Sequence, residues 1–250
     1  MILTIDVGNT SITCGLFEND NLFKSFRIPS DRDITTSKCM ELLQFNISTI
    51  HIDGAIIGSV VEEVNDRVFG AVFELYKVKP ILLNSKTNLS ITLNVKNNAE
   101  VGADRIANAV KAWEIYKKSV IVVDFGTATT FDIVNSKGEF IGGIIAPGIN
   151  TQLNSLFQAT SKLPKIEIKP IEKTIANDTE SSILSGVVIG SASMVDGMIE
   201  RCEKELNERP VIIGTGGLCE VVAQYMTKKF DNIYNNLTLA GLLSIYKNNQ

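Results

Sequence analysis

Two segments of the sequence combine a carboxylate with glycine and hydroxyl side chains, a set suited to binding phosphate and cations. The first reads Asp6-Val7-Gly8-Asn9-Thr10-Ser11, and the second reads Asp124-Phe125-Gly126-Thr127-Ala128-Thr129-Thr130. Glycine lets the backbone approach a ligand closely, and the neighbouring hydroxyls and amides donate to phosphate oxygens. A carboxylate suits hydrated Mg²⁺, which prefers oxygen ligands and keeps several waters. An ordinary hairpin turn is the alternative for either segment alone, because Asp, Gly and Asn are common turn formers.

The two segments belong to an internal repeat, which favours the functional interpretation. Residues Ile2–Ile28 and Val120–Ala146 each read as an apolar strand, an Asp-x-Gly turn, a second strand, a polar turn and a third strand. Asp6 aligns with Asp124, and Gly8 aligns with Gly126. One Asp-x-Gly turn after a strand often arises by chance, but two such turns within three-stranded meanders of matched length seldom do. The repeat therefore predicts two phosphate-binding turns.

A glycine-rich turn follows a third apolar strand, in the run Val211-Ile212-Ile213-Gly214-Thr215-Gly216-Gly217. A turn without side chains lets backbone approach a flat adenine and its ribose. The run lacks the GxGxxG pattern, so it does not support a Rossmann dinucleotide site. An ordinary connection from strand to helix is an equally good interpretation of this motif alone.

Two predicted helix starts carry polar residues that a substrate site would use. Gly102-Ala103-Asp104-Arg105 opens one helix, where the helix dipole alone favours an aspartate in the first turn. Arg105 suits a planar anion such as a carboxylate, although a lone arginine is more often an exposed helix residue. Thr179 precedes the other helix and is spaced from Ser182 like a capping residue.

Composition excludes several other classes of function. The 250 residues are 44% hydrophobic and 21% charged with a net charge of −4, which is typical of a globular protein without a nucleic-acid-binding face. A single histidine, His51, and four cysteines without CxxC spacing argue against a zinc site or Ser-His-Asp chemistry. No signal peptide and no apolar run near ~20 residues are recognised, so we expect a cytoplasmic protein with reduced thiols and no membrane partner.

Strands alternate with helices through the chain, which predicts an α/β fold. Outside the two meanders, the predicted elements are a short helix at Thr35–Phe45, a strand at Gly54–Val60, a helix at Val64–Tyr76, a strand at Pro80–Leu83, a helix from Ala103, a helix from Glu180 to about Asn207, a strand at Val211–Gly214 and a terminal helix from near Leu239. With the repeat, this pattern predicts two similar halves, residues 1–118 and 119–250, facing a cleft.

The order of these motifs resembles type III pantothenate kinase over nearly the whole chain. The segments that carry the resemblance are DVGNT (6–10), GSVV (58–61), GADR (102–105), DFGTATT (124–130), GGIIAPG (142–148), TESSILSG (179–186) and GTGG (214–217). The resemblance implies two ribonuclease-H-like halves of the actin, hexokinase and Hsp70 type of ATPase fold around a nucleotide cleft.

The resemblance also implies a reaction, the ATP-dependent phosphorylation of pantothenate to 4′-phosphopantothenate at the start of coenzyme A biosynthesis. Asp104 would be the general base, Arg105 would pair with the pantothenate carboxylate, and Thr179 would contact the substrate. Asp124 would hold a monovalent cation, K⁺ or NH₄⁺, and Asp6 would hold Mg²⁺ through water. The implied nucleotide-binding residues are Asp6, Val7, Gly8, Asn9, Thr10, Ser11, Ile12, Thr13, Thr127, Gly216 and Gly217, and the implied substrate residues are Gly102, Ala103, Asp104, Arg105, Thr179 and Val95.

Val95 departs from the family, which usually carries an aromatic residue at that position in contact with pantothenate. Two alternatives stay open, another small-molecule kinase of the same fold acting on a sugar or acetate, and a non-catalytic nucleotide-binding regulator. Joint retention of Asp6, Asp104, Arg105 and Asp124 favours an enzyme.

The helix after Thr179 predicts a homodimer, and packing of its small residues within one chain is the alternative. Small residues permit close backbone approach, and a C₂ dimer is the commonest closed assembly. In the family the two protomers meet through the second half. The small residues of this helix are Ser181, Ser182, Ser185, Gly186, Gly190, Ser191, Ala192 and Ser193.

Overall fold

A computed structural model describes residues 1–159 and 166–250 as two compact units. The first unit comprises Met1–Ile115 with Asn236–Gln250, and the second comprises Tyr116–Asn235. Both units combine a mixed sheet with helices, so the predicted α/β class is confirmed.

Elements are numbered in chain order. The strands are β1 (Ile2–Val7), β2 (Ser11–Glu18), β3 (Asn21–Pro29), β4 (Gly54–Ser59), β5 (Ile81–Leu82), β6 (Thr92–Leu93), β7 (Val120–Phe125), β8 (Ala128–Val134), β9 (Glu139–Pro147), β10 (Val211–Thr215) and β11 (Asn232–Ile233). The α-helices are α1 (Thr36–Ile47), α2 (Glu62–Tyr76), α3 (Ala103–Tyr116), α4 (Ile149–Ala159), α5 (Thr179–Leu184), α6 (Gly190–Leu206), α7 (Cys219–Ala223) and α8 (Leu237–Lys247). A 3₁₀ turn spans Asn98–Glu100, and a π-helical turn spans Ser185–Ile189.

The first unit is built on a sheet in the order β3-β2-β1-β4-β5. Strand β1 pairs antiparallel with β2 and parallel with β4, and this central position buries Leu3, Ile5 and Val7 completely. Alternating side chains carry these residues to the face that α1 and α2 cover. Helix α8 packs on the same central strands.

The second unit repeats this arrangement with β7, β8 and β9 in place of β1, β2 and β3. Its strands run in the order β11-β10-β7-β8-β9, with β7 antiparallel to β8 and parallel to β10. One face of β7 packs Ile121, Val123 and Phe125 against residues of α4, α6 and the π-helical turn. The shared strand order extends the repeat beyond the two meanders that the sequence indicates.

Two features of the division differ from the sequence expectation. The units change at Tyr116 rather than after Lys118, and the terminal helix α8 belongs to the first unit rather than the second. Helix α8 buries Leu239, Leu242 and Leu243 within the first unit. Because these contacts join residues far apart in sequence, local patterning carries no signal for them.

Helices α5 and α6 are joined through the π-helical turn into one helix from Thr179 to Leu206. The sequence predicts no membrane-spanning run, but the length and apolar composition of this helix would allow it to cross a membrane. Its inward side contributes Val188, Val195 and Ile199 to the core of the second unit. Burial of that side is the behaviour of a core helix in a globular domain.

Candidate active site

The first predicted phosphate turn is the loop between β1 and β2. The Gly8 amide donates to the Ser11 carbonyl at 3.0 Å, which closes the loop and leaves Asn9 and Thr10 exposed. Asp6 lies half-buried one residue before the end of β1, opposite Thr13 of β2. The turn therefore presents a carboxylate beside exposed amide and hydroxyl groups.

Val7 and Ile12 flank this turn with their side chains in the core. Both are almost fully buried, so their contribution to a nucleotide site would be limited to backbone groups.

The second predicted phosphate turn joins β7 to β8 and is one residue shorter than the first. The Gly126 amide donates to the Ala128 carbonyl at 3.0 Å. The Thr127 carbonyl accepts from the Gly148 amide at 3.1 Å and from Thr151 Oγ1 at 2.6 Å. The start of α4 thus fixes the turn. Sequence reasoning missed Thr151, and a threonine in the first turn of a helix carries no local signal for this role.

The glycine-rich turn lies beside Asp124, as the pairing of β10 with β7 dictates. Thr215 is the register partner of Asp124, so the residue after Thr215 meets the end of β7. Gly216 has φ +92°, and a Cβ there would lie 2.5 Å from Asp124 Oδ1 and 2.6 Å from the Phe125 amide nitrogen. Only glycine fits this conformation and this space. The structure therefore joins two motifs that lie far apart in the sequence.

Cys219 lies under the same glycine-rich turn. Its burial, and secondarily the charge of Asp124, raise the pKa of its thiol to about 12. The thiol is protonated at neutral pH and acts as a packing group.

Asp104 lies half-buried in the first turn of α3, as the sequence predicts. Its Oδ1 accepts a hydrogen bond of 2.8 Å from the Arg105 amide. A Cβ at Gly102 would lie 2.5 Å from the same oxygen, so the carboxylate occupies the space that a side chain at Gly102 would need. Desolvation by burial raises the pKa of Asp104, and the hydrogen bond and charge of Arg105 oppose that shift only in part. A carboxylate with a raised pKa is a better proton acceptor than an ordinary aspartate.

Thr179 is the first residue of α5 and is exposed. The capping role suggested for it is wrong, because Asp178 is the N-cap and its Oδ1 accepts from the Ser181 amide at 2.9 Å. That hydrogen bond lowers the pKa of Asp178. Thr179 lines an open depression of about 550 Å³, whose other lining residues are Ala176, Asn177, Asp178, Ser182 and Ile183.

Comparison with known proteins decides between the families that share these motifs. The model of one protein family, described as type III pantothenate kinase, matches residues 2–201. The chain belongs to the type III pantothenate kinase family. A curated type III pantothenate kinase from Syntrophus aciditrophicus is 40% identical over 255 residues, covering 100% of both chains.

Solved structures relate this chain to a wider group by fold alone. A conserved protein of the Baf transcriptional-activator family from Campylobacter jejuni superposes with a TM-score of 0.62 at 19% identity, covering 99% of this chain and 98% of that one. A ROK family glucokinase from Streptomyces griseus, solved with glucose and AMPPNP, gives 0.51 at 11% identity, covering 97% and 98%. The fold is therefore the actin and hexokinase type, as predicted, and the family assignment makes the protein an ATP-dependent kinase.

Proposed function

We propose that the protein transfers the γ-phosphoryl group of ATP to the primary hydroxyl of pantothenate, with Asp104 as the general base. Family membership and the full-length relative support the reaction. The observation that carries the role of Asp104 is its half-buried carboxylate, whose pKa burial raises. The product is 4′-phosphopantothenate, and the reaction opens coenzyme A biosynthesis.

The proposed base is held in place by its own helix. The Arg105 amide donates to Oδ1 of Asp104, and we propose that Oδ2 accepts the proton of the substrate hydroxyl. In phosphoryl transfer the protein mainly orients the nucleophile and stabilises charge, so a fixed carboxylate is suitable. Arg105 is proposed to pair with the pantothenate carboxylate, because its planar fork matches a planar anion.

The donor set at the two phosphate turns fits cations that share their coordination with phosphate and water. Across residues 1–159 and 166–250, no three His, Cys, Asp or Glu side chains gather into a metal-binding group. Single carboxylates such as Asp6 suit Mg²⁺, which usually binds through one or two carboxylates, waters and substrate phosphates. Asp124 is proposed to hold K⁺ or NH₄⁺, whose charge would relieve repulsion between the carboxylate and phosphate oxygens.

ADP release measured with pantothenate, a panel of sugars and acetate tests the reaction. We expect turnover with pantothenate alone, whereas turnover with a sugar or acetate instead would favour another kinase of the same fold. No turnover with any of them, despite nucleotide binding, would favour the regulator hypothesis.

Asp104→Asn tests the base, because it keeps the shape of the side chain and removes its basicity. Loss of a positioned base typically lowers the rate 10²–10⁴-fold, and ATP binding should persist. Asp66→Asn, an exposed site on α2, is the matched control and should turn over like the wild type. Turnover of Asp104→Asn within about threefold of the wild type would contradict the proposed role.

We also propose a homodimer formed through the helix from Thr179 to Leu206. An exposed line of small residues runs along it at helical spacing, through Ser182, Gly186, Gly190, Ser193 and Gly197. At the three glycines, a Cβ would meet none of the described atoms within 4 Å. Such a surface permits a second helix to approach closely.

Exposed apolar side chains of α4 support the same proposal. Leu156 and Phe157 of α4 are exposed, and α4 contacts the π-helical turn. Burial of this surface against a second copy would explain why so apolar a helix is only 44% buried over its most apolar stretch.

Light scattering coupled to size exclusion tests the dimer against the monomer mass of 27.3 kDa. A fully active species of monomer mass would exclude an obligatory dimer. Mixing inactive Asp104→Asn chains with inactive Thr179→Trp chains tests whether Thr179 serves the neighbouring subunit. Recovered activity would place the two residues in different subunits, and no recovery after confirmed exchange would place them in one.

A cytoplasmic location is part of the proposal, and the four free cysteines fit a reducing compartment. Cell fractionation with an antibody to the protein tests it.

A further inference from the structure

The start of α3 lies directly against the end of β4, within the first unit. A Cβ at Gly58 of β4 would lie 3.3 Å from the Cβ of Ala103, the first residue of α3. Two residues further along the chain, Val60 Cγ1 lies 3.3 Å from the position of a Cβ at Gly102. The residue that follows β4 is therefore a neighbour of the helix turn that carries Asp104.

Val60 and Asp104 border the same small space, which exists because residue 102 is a glycine. The position of a Cβ at Gly102 lies 2.5 Å from Asp104 Oδ1 and 3.3 Å from Val60 Cγ1. A methyl group would more than fill this space, so the carboxylate and the valine side chain close it together. An apolar neighbour offers the carboxylate no hydrogen bond and takes the place of water.

The backbone of Val60 is held by two neighbouring segments. Its amide donates to the Val7 carbonyl at 3.0 Å, at the end of β1 where the first predicted phosphate turn begins. Ser59 Oγ accepts from the Val61 amide at 3.0 Å and donates to the Val61 carbonyl at 3.2 Å, which fixes the bend around Val60. A β-branched side chain also has little rotamer freedom. Val60 thus presents a stiff surface between the turn and Asp104.

The charged groups around Asp104 come from its own helix and from the neighbouring elements of the first unit. Arg105 lowers the pKa of Asp104 through its amide and its charge, and burial raises that pKa by more. Asp6 lies near the end of β1, and residues 62–63 are exposed glutamates at the start of α2. Residues 54–61 carry no charge, so an uncharged surface meets the carboxylate from the end of β4.

We infer that Val60 is a positioning residue, which restricts the Asp104 carboxylate and keeps water from one side of it. The inference rests on the proposed function, in which Asp104 is the base. Loss of orientation at a reacting group lowers the rate of the chemical step, whereas nucleotide binding does not depend on it. Exclusion of water disfavours the charged form of a carboxylate, so Val60 also contributes to the affinity of Asp104 for a proton.

Val60→Ala removes the methyl groups and admits water to the carboxylate. Val60 is 36% exposed, so the variant should stay folded, which a thermal melt checks. We expect kcat to fall on the order of tenfold while the KM for ATP is unchanged. The acidic fall of kcat/KM should move to lower pH by about half a unit, because a hydrated carboxylate loses its proton more readily.

Two further variants of Val60 separate its shape from its apolar character. Val60→Ile keeps the branch at Cβ, so it should retain the kcat and the pH profile of the wild type. Val60→Thr keeps the size of the side chain but attracts water, so it should move the acidic fall to lower pH as Val60→Ala does.

Val78→Ala is the matched control, since Val78 is a half-buried valine that packs against the core of the same unit. It should lower the melting temperature and leave kcat and the pH profile unchanged. Wild-type kcat and pH profile in Val60→Ala, or equal changes in Val78→Ala, would overturn the inference. Wild-type turnover in Asp104→Asn would instead overturn the proposed base, so the two failures are distinguishable.

Discussion

Replacing Gly216 by alanine tests how the glycine-rich turn supports Asp124. At φ +92° an alanine adopts a left-handed backbone that costs about 1–2 kcal/mol. Its Cβ would also lie 2.5 Å from Asp124 Oδ1 and 2.7 Å from the Phe125 carbonyl carbon. Overpacking of this kind typically costs about 1–3 kcal/mol, because backbone atoms must move. Together these terms predict a loss of about 2–5 kcal/mol in the free energy of unfolding.

Urea unfolding measures this loss, and the K⁺ dependence of ADP release measures its effect on the site. Displacement of the Asp124 carboxylate should raise the K⁺ concentration needed for half-maximal activity. Gly70→Ala in α2 is the control, because its Cβ would meet Thr36 at an ordinary 3.4 Å and alanine favours a helix by about 0.5–1 kcal/mol. The reasoning is refuted if Gly216→Ala unfolds within about 0.5 kcal/mol of the wild type and responds to K⁺ identically.

Four further outcomes are expected. Because burial raises the pKa of Asp104 above 3.8 and the proposed base acts when ionised, kcat/KM should fall on acidification with an apparent pKa above that value. A pH profile checks this, and Asp104→Asn should lose this fall in activity at acidic pH. Activity should rise when K⁺ or NH₄⁺ replaces Na⁺ at constant ionic strength, since Asp124 faces phosphate oxygens in the proposed site; equal rates in all three salts would remove the cation role. Gly148→Ala should lower the melting temperature and raise the KM for ATP, because its Cβ would lie 2.5 Å from the carbonyl oxygen of Thr127 in the second predicted phosphate turn. Asp178→Ala should cost about 1 kcal/mol in urea unfolding by removing the helix cap, whereas Asp178→Asn should cost little.

Local sequence patterns specify most strands and helices and the strand ends that carry the predicted site residues. Its apolar alternation and turn residues specify β1 to β3 and β7 to β9, because a strand with one buried face and a polar turn needs only neighbouring residues to be recognised. The internal repeat places Asp6 and Asp124 at equivalent positions, which favours a binding role for both residues. The helix beginning at Ala103 was also predicted at its observed start, since a first-turn aspartate and 3.6-residue periodicity are both local.

The sequence predicts helix boundaries and helix caps less accurately than it predicts the strands. Asp178 and Thr179 are both good capping residues, and the choice between them depends on which backbone amide each side chain reaches. That geometry is set by the path of the chain before the helix, which no short pattern encodes.

Contacts between distant segments depend on how the sheets assemble. The parallel pairing of β10 with β7 places Gly216 against Asp124, and the return of α8 to the first unit completes a core begun more than 200 residues earlier. Burial of apolar surface selects these pairings from many that the local patterns allow, and its free energy depends on the assembled sheet rather than on any one segment.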